Sequence, residues 1–154
     1  MSNKRPVVVV HRPTGASGVS MREAGIENGY QGTNHYAVEV GHPGNIIRFD
    51  LTVRADRKTT ELRVIPNARA SGFTPLKHPF ITDLAKGTTS LSDKELEQIG
   101  NRLIAEHATA GKYTKIWNNC QIWALLFFRD ISNEQQHWMT DTISIGYKLM
   151  QWFM

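Results

Sequence analysis

Cysteine is scarce in this chain, and long apolar runs are absent. The single cysteine, Cys120, excludes an internal disulfide framework and a zinc site built from several cysteines. No apolar run approaches the ~18 residues that a membrane-spanning helix needs. The run Val7–Val10 is also shorter than the apolar core of a signal peptide, which has about 7–15 residues. We therefore expect an intracellular protein, cytoplasmic or alternatively nuclear, without a membrane span, a cofactor or a metal.

Basic residues are in modest excess but are scattered along the chain. The formal net charge is +4 and the pI is near 9.4. The chain has no basic cluster of about five to eight residues, and its aromatic residues do not alternate with basic ones as in a base-stacking surface. This distribution gives no strong nucleic-acid signal. It favours a solvated surface that would attract an acidic protein partner.

The length and composition are those of one globular domain. The chain has 154 residues, of which 40% are hydrophobic and 21% are charged. A chain of this size can bury a core without disulfides or a metal. We therefore predict a single domain over residues 1–154, and the sequence leaves its oligomeric state open.

A β-hairpin is the clearest structural signal. The segments His35–Val40 and Asn45–Val53 flank Pro43 and Gly44, which fit the two central positions of a type II turn. The two strands then sort into one apolar face and one polar face, as a half-buried sheet requires. The polar face is predicted to carry His35, Glu39, Arg48, Asp50 and Thr52.

Other segments complete an α+β fold, in which a small antiparallel sheet packs on a buried helix that carries the cysteine. A capping box at Ser92 and Glu95 predicts a helix to about His107. A second, largely apolar helix is expected from Asn118/Asn119 to about Ile131. Further predicted elements are strands over Arg5–His11 and Thr60–Ile65, a helix over Thr140–Met154, a long loop over 13–33 and a loop-rich segment over 66–90.

Cys120 is placed in the first turn of the second predicted helix. Unpaired backbone N–H groups and the helix dipole favour a thiolate at this position. A nucleophilic cysteine also needs an imidazole that accepts its proton. The alternative is a buried structural cysteine on an apolar helix, which is the usual role of a lone cysteine.

His35 is the candidate imidazole because its predicted face also offers residues that could orient it. In the hairpin register Thr52 lies directly opposite His35, and Asp50 lies diagonally, at a Cα separation of about 7–8 Å. We predict that Asp50 binds Nδ1 of the imidazole, with Thr52 as the alternative. Asp50 could instead be an ion-pair partner of Arg48 or Arg54.

Two segments resemble a known family. The stretch Tyr113–Trp123, which contains Asn118-Asn119-Cys120, resembles the cysteine motif of circularly permuted papain-like hydrolases, in particular the PPPDE peptidases. The stretch Asn34–Val40 resembles their histidine motif and that of lecithin:retinol acyltransferase-like proteins, and the NlpC-type families are more distantly similar. As in these families, the histidine strand precedes the cysteine helix.

The resemblance implies a permuted papain-like fold in which Cys120 and His35 are the catalytic pair. Gln121 follows the cysteine, and the dipeptide after it also differs from that of many relatives. The second strand offers Asp50 where acyltransferase-like relatives often carry a second histidine. This difference disfavours the acyltransferase interpretation.

The resulting hypothesis is a cysteine peptidase or isopeptidase that works through an acyl-enzyme intermediate. The backbone N–H of Cys120 would bind the oxyanion, with Asn119 or Tyr30 as a side-chain donor. The expected partner is a protein or peptide substrate, a ubiquitin-like conjugate being one candidate. The alternatives are a lipid acyltransferase or phospholipase of the same superfamily, and a binding module without catalysis.

Overall fold

A computed structural model describes residues 3–12, 35–53, 60–69, 72–76, 85–107 and 119–134. These ranges contain a small antiparallel sheet and two helices, so the chain belongs to the α+β class, as predicted. The elements are β1 (Arg5–Arg12), β2 (His35–Val40), β3 (Ile47–Val53), β4 (Thr60–Ile65), β5 (Thr74–Pro75), β6 (Lys86–Thr89), α1 (Asp93–His107) and α2 (Asn119–Ile131). The predicted helix over Thr140–Met154 and the predicted loop over 13–33 lie outside the described residues.

The sheet is built around β1. Its strand order is β4-β3-β2-β1-β5, and β6 pairs with β1 along the same edge as β5. The valines of β1 explain its central place, because β-branched side chains suit a strand that is covered on its faces. Val7, Val9 and Val10 are at most 2% exposed.

The β2–β3 hairpin has the predicted turn and register. The Asn45 amide donates to the His42 carbonyl at 2.9 Å, and Gly44 has a φ of 89°. This is the hydrogen bond and the positive φ of a type II turn with Pro43 and Gly44 at its centre. Glu39 faces Arg48 across the hairpin, as the turn predicts.

Helix α1 begins at the predicted capping box. The Ser92 hydroxyl accepts from the Glu95 amide at 3.2 Å, and the Glu95 carboxylate accepts from the Ser92 amide at 3.1 Å. Two N–H groups of the first turn are thereby satisfied.

Helix α2 lies between the sheet and α1, which is why it is apolar almost all round. Phe127 packs on Phe49 of β3 at a centroid distance of 5.3 Å and stacks on Trp123 at 4.9 Å. The Trp123 indole donates to the Gly100 carbonyl of α1 at 3.1 Å. A Cβ at Gly100 would come within 3.1 Å of Leu62 of β4, so the glycine lets α1 lie close to the sheet here.

Residues 66–90, which were predicted to be rich in loops, also contain two short strands. This segment contributes β5 and β6, which occupy the free edge of β1. Both strands are short and contain proline or glycine, so their own sequences lack a strand signal. Neither described helix is long and apolar enough to cross a membrane.

Candidate active site

Cys120 is the second residue of α2, where the helix meets the sheet. Cys120 is 6% exposed, and the apolar residues from Trp123 to Phe128 are buried in the core. The anchored helix fixes the thiol and also its own backbone N–H, which lies in the first turn and has no acceptor within the helix. Burial alone would suit a structural cysteine, so the neighbours of the thiol decide between the two interpretations.

His35 is the first residue of β2, and it forms side-chain hydrogen bonds with both Cys120 and Asp50. Its Nε2 lies 2.8 Å from Oδ2 of Asp50, and its side chain is 15% exposed. Since Nε2 is engaged by Asp50, Nδ1 is the ring nitrogen left for the thiol. The structure thus brings together three of the predicted site residues.

The predicted ring nitrogen was wrong, because Asp50 contacts Nε2 rather than Nδ1. Asp50 is the diagonal neighbour of His35 across the hairpin, and such pairs are about 7–8 Å apart at Cα. The far nitrogen of the ring spans that separation, whereas Nδ1 stays close to the β2 backbone. The carboxylate of Asp50, and not the hydroxyl of Thr52, therefore binds the imidazole.

Asp50 is held in turn by Arg63, a residue that the sequence analysis did not select. Arg63 faces Asp50 directly across β3 and β4. Its Nε donates to Oδ1 at 2.8 Å and its Nη2 donates to Oδ2 at 2.5 Å, so both carboxylate oxygens are bound. The Asp50 side chain is 0% exposed, and it therefore needs such a partner.

Arg48, one of the two arginines predicted as alternative partners of Asp50, does not take that role. Arg48 donates from Nε to the Glu39 carboxylate at 2.9 Å and from Nη2 to the Arg69 carbonyl at 2.8 Å. Arg54 lies outside the described residues. Asp50 does have an ion pair, but its cation comes from β4, the strand whose register the sequence did not fix.

These contacts set the charges of the site. Burial lowers the pKa of His35, but the hydrogen bonds to Asp50 and Cys120 outweigh it and raise this pKa from 6.5 to about 9. Burial raises the pKa of Asp50, but the hydrogen bonds from Arg63 and His35 outweigh it and lower this pKa. At neutral pH His35 is therefore protonated, Asp50 is ionised and lies between His35 and Arg63, and Arg63 carries its positive charge.

Phe73 covers the polar side of the site. Its ring centroid lies 6.1 Å from that of His35, and the guanidinium carbons of Arg48 and Arg12 lie 4.3 Å and 5.0 Å from it. An aromatic ring over cationic groups is attracted to them and keeps water away. Phe73 precedes β5, in the segment that was predicted to be rich in loops.

Tyr36 is a further neighbour of the thiol that sequence reasoning missed. Its side chain is 0% exposed, and burial together with the charge of Cys120 raises the pKa of the phenol well above its usual value. Within the part of the chain that the structure describes, its hydroxyl has no hydrogen-bond partner. The alternation of the strand assigned Tyr36 to the core, and that assignment gave no sign of its proximity to Cys120.

The two predicted side-chain donors to the oxyanion, Tyr30 and Asn119, stay predictions, because the structure describes neither side chain. Tyr30 lies outside the described residues. Asn119 begins α2, and its backbone starts the helix that carries Cys120. The described ranges contain no group of three or more His, Cys, Asp or Glu side chains that could hold a metal ion.

Comparison with known proteins adds no family assignment. The chain matches no protein-family model, no curated protein and no solved structure. The likeness to PPPDE peptidases therefore stays a prediction from the sequence motifs.

Proposed function

We propose that this protein is a thiol hydrolase, a peptidase or isopeptidase, in which Cys120 and His35 are catalytic and Asp50 orients the imidazole. One observation carries the proposal: a continuous run of hydrogen bonds from Cys120 through His35 and Asp50 to Arg63. A cysteine with only a structural role needs no imidazole, and an imidazole with only a structural role needs no buried carboxylate.

The charge state favours attack by a thiolate. A His35 with a pKa of about 9 keeps its proton at neutral pH, which suits a pair in which the proton has passed from sulfur to the imidazole. The Asp50 carboxylate stabilises that imidazolium and holds the ring so that one nitrogen faces the thiol. Arg63 keeps Asp50 ionised and fixed.

The reaction would proceed in two steps. The sulfur of Cys120 forms a bond to the acyl carbon, and the electron pair of the carbonyl moves to its oxygen. As the tetrahedral intermediate collapses, the bond to the leaving amine breaks and His35 gives the amine its proton. Water then attacks the thioester, His35 accepts a proton from it, and the thiolate leaves with the acid as product.

The helix start would supply the oxyanion site. The Cys120 backbone N–H has no acceptor within α2, and the helix dipole adds positive potential there. Asn119 and Tyr30 remain the proposed side-chain donors.

The sequence motifs support the same proposal. The order of the histidine strand and the cysteine helix suits a permuted papain-like fold, as does a sheet packed on the cysteine helix. The proposed substrate is a protein or peptide, with a ubiquitin-like conjugate as one candidate, and the proposed location is the cytoplasm or the nucleus. A lipid acyltransferase and a binding module are the competing functions that the experiment must separate.

The test is acylation of Cys120 by an activated ester. Wild-type protein, Cys120→Ala and the matched variant Thr52→Val are incubated with p-nitrophenyl acetate, and p-nitrophenol release and intact mass are followed. We expect a burst and a mass increase of one acetyl group in the wild type and in Thr52→Val. Cys120→Ala should show neither.

Two further measurements decide between the alternatives. Transfer of the acyl group to an added amine or lipid, in place of hydrolysis, would assign an acyltransferase. A Cys120 thiol that neither the ester nor iodoacetamide modifies below neutral pH would overturn the proposal and leave a binding module.

A further inference from the structure

A second cation lies next to the Cys–His pair. Arg12 is the last residue of β1 and is the direct cross-strand partner of His35. Directly opposite residues of an antiparallel pair project from the same face, with Cβ atoms about 4.5–5.5 Å apart. The side chains of Arg12 and His35 are therefore neighbours on the same face of the sheet.

Phe73 keeps the Arg12 guanidinium beside the site. The guanidinium carbon lies 5.0 Å from the ring centroid, and the same ring lies 6.1 Å from the His35 ring. Phe73 thus contacts both groups from one position. Stacking on an aromatic ring restrains a long side chain that would otherwise extend into solvent.

Two acids of this face, Asp50 and Glu39, are already bound to other cations. Asp50 binds Arg63 and His35, and Glu39 binds Arg48. Arg12 has no ion pair within the described ranges, and its Nε is buried there without a hydrogen-bond partner. A partly buried guanidinium with no anion among the described residues would be stabilised by binding one.

We propose that Arg12 is a specificity residue that recognises a carboxylate close to the scissile acyl bond. The substrate would be a peptide or isopeptide with an acidic side chain or a free C-terminal carboxylate next to that bond. This inference rests on the proposed thiol hydrolase function, because it places the carboxylate relative to Cys120. A guanidinium suits this task, since its planar fork can bind both carboxylate oxygens.

The experiment compares two alkylating agents that differ only in charge near the reacting carbon. Iodoacetate carries a carboxylate, and iodoacetamide carries a neutral amide of nearly the same size. The rate of Cys120 alkylation by each agent is measured by intact mass for wild type, Arg12→Gln and Arg12→Lys. Arg5→Gln is the matched control, because Arg5 begins the same strand and pairs with the distant Asp93.

We expect the ratio of the iodoacetate rate to the iodoacetamide rate to fall roughly five- to tenfold in Arg12→Gln, as expected for loss of one charge-assisted contact. The ratio should fall less in Arg12→Lys than in Arg12→Gln, and it should be unchanged in Arg5→Gln. In the wild type the ratio should fall as salt is added, and this readout holds even if Arg12→Gln is unstable.

The outcomes separate this inference from the proposed function. Failure of both agents to modify Cys120 overturns the hydrolase itself. Modification by both agents, with a ratio that neither salt nor Arg12→Gln changes, overturns only the role of Arg12.

Three chloroacetyl probes then identify the preferred carboxylate: one with a glutamate side chain and a C-terminal amide, one with glutamine and a free C-terminus, and a neutral one with glutamine and an amide.

Discussion

Replacing Asp50 by asparagine should lower the pKa of His35. The imidazole has a pKa of about 9 against an ordinary value of 6.5, although burial by itself lowers it. Since one pKa unit corresponds to about 1.36 kcal/mol, the net rise amounts to about 3 kcal/mol, and Asp50 and Cys120 together supply this amount and also offset the effect of burial. Without the carboxylate we expect the pKa to fall by at least about one unit, because an amide carries no charge to stabilise the imidazolium.

The assay is a proton NMR titration of the His35 ring between pH 5 and pH 10. The His35 signal is assigned by its loss in His35→Gln. The wild type should titrate near pH 9, Asp50→Asn clearly lower, and Thr52→Val close to the wild type because Thr52 contributes no charge. A wild-type midpoint near 6.5, or equal midpoints in wild type and Asp50→Asn, would refute the reasoning.

The same titration predicts how stability depends on pH. The pKa of His35 is higher in the folded chain than in the unfolded chain, so protonation favours folding. That contribution is complete below about pH 6.5 and is lost as the pH rises through about 9. The free energy of unfolding of the wild type should therefore decrease between about pH 6.5 and pH 9. This decrease should be smaller in Asp50→Asn.

Three further predictions follow from the described contacts. Cys120→Ala should abolish hydrolysis and keep the circular dichroism spectrum, because the nucleophile is lost at a helix start that tolerates alanine; retained turnover would contradict the mechanism. Arg63→Met should raise the lowered pKa of Asp50, so that stability is lost at a higher pH on acidification, whereas the exposed Arg102→Met should leave the acid midpoint in place. Ser92→Ala should lower the free energy of unfolding by about 1 kcal/mol, measured by urea titration, because α1 loses its capping box; an unchanged midpoint would mean that solvent replaces the cap.

The hairpin and its polar face were predictable because local chemistry determines them. Pro43 and Gly44 specify the turn, the turn fixes the register, and the register brings Asp50 to the diagonal position of His35. The start of α1 was predictable for a similar reason, since a capping box needs only residues three apart.

The other features depend on contacts between segments that are distant in sequence. No turn motif links β3 to β4, so nothing in the sequence assigned Arg63 to Asp50. The strands β5 and β6 have weak propensities and form because β1 offers them a free edge.

The ion pair between Arg63 and Asp50 also bears on how the chain selects its fold. A shift of β4 by one residue would place Leu62 or Val64 opposite Asp50 and turn Arg63 toward the core. The misaligned sheet would then contain a buried carboxylate without its cation, which costs about 3–5 kcal/mol. The contact between Arg63 and Asp50 therefore stabilises the correct strand register as well as the charge of the site. A chain whose sheet is out of register loses this contact and is less stable than the native fold.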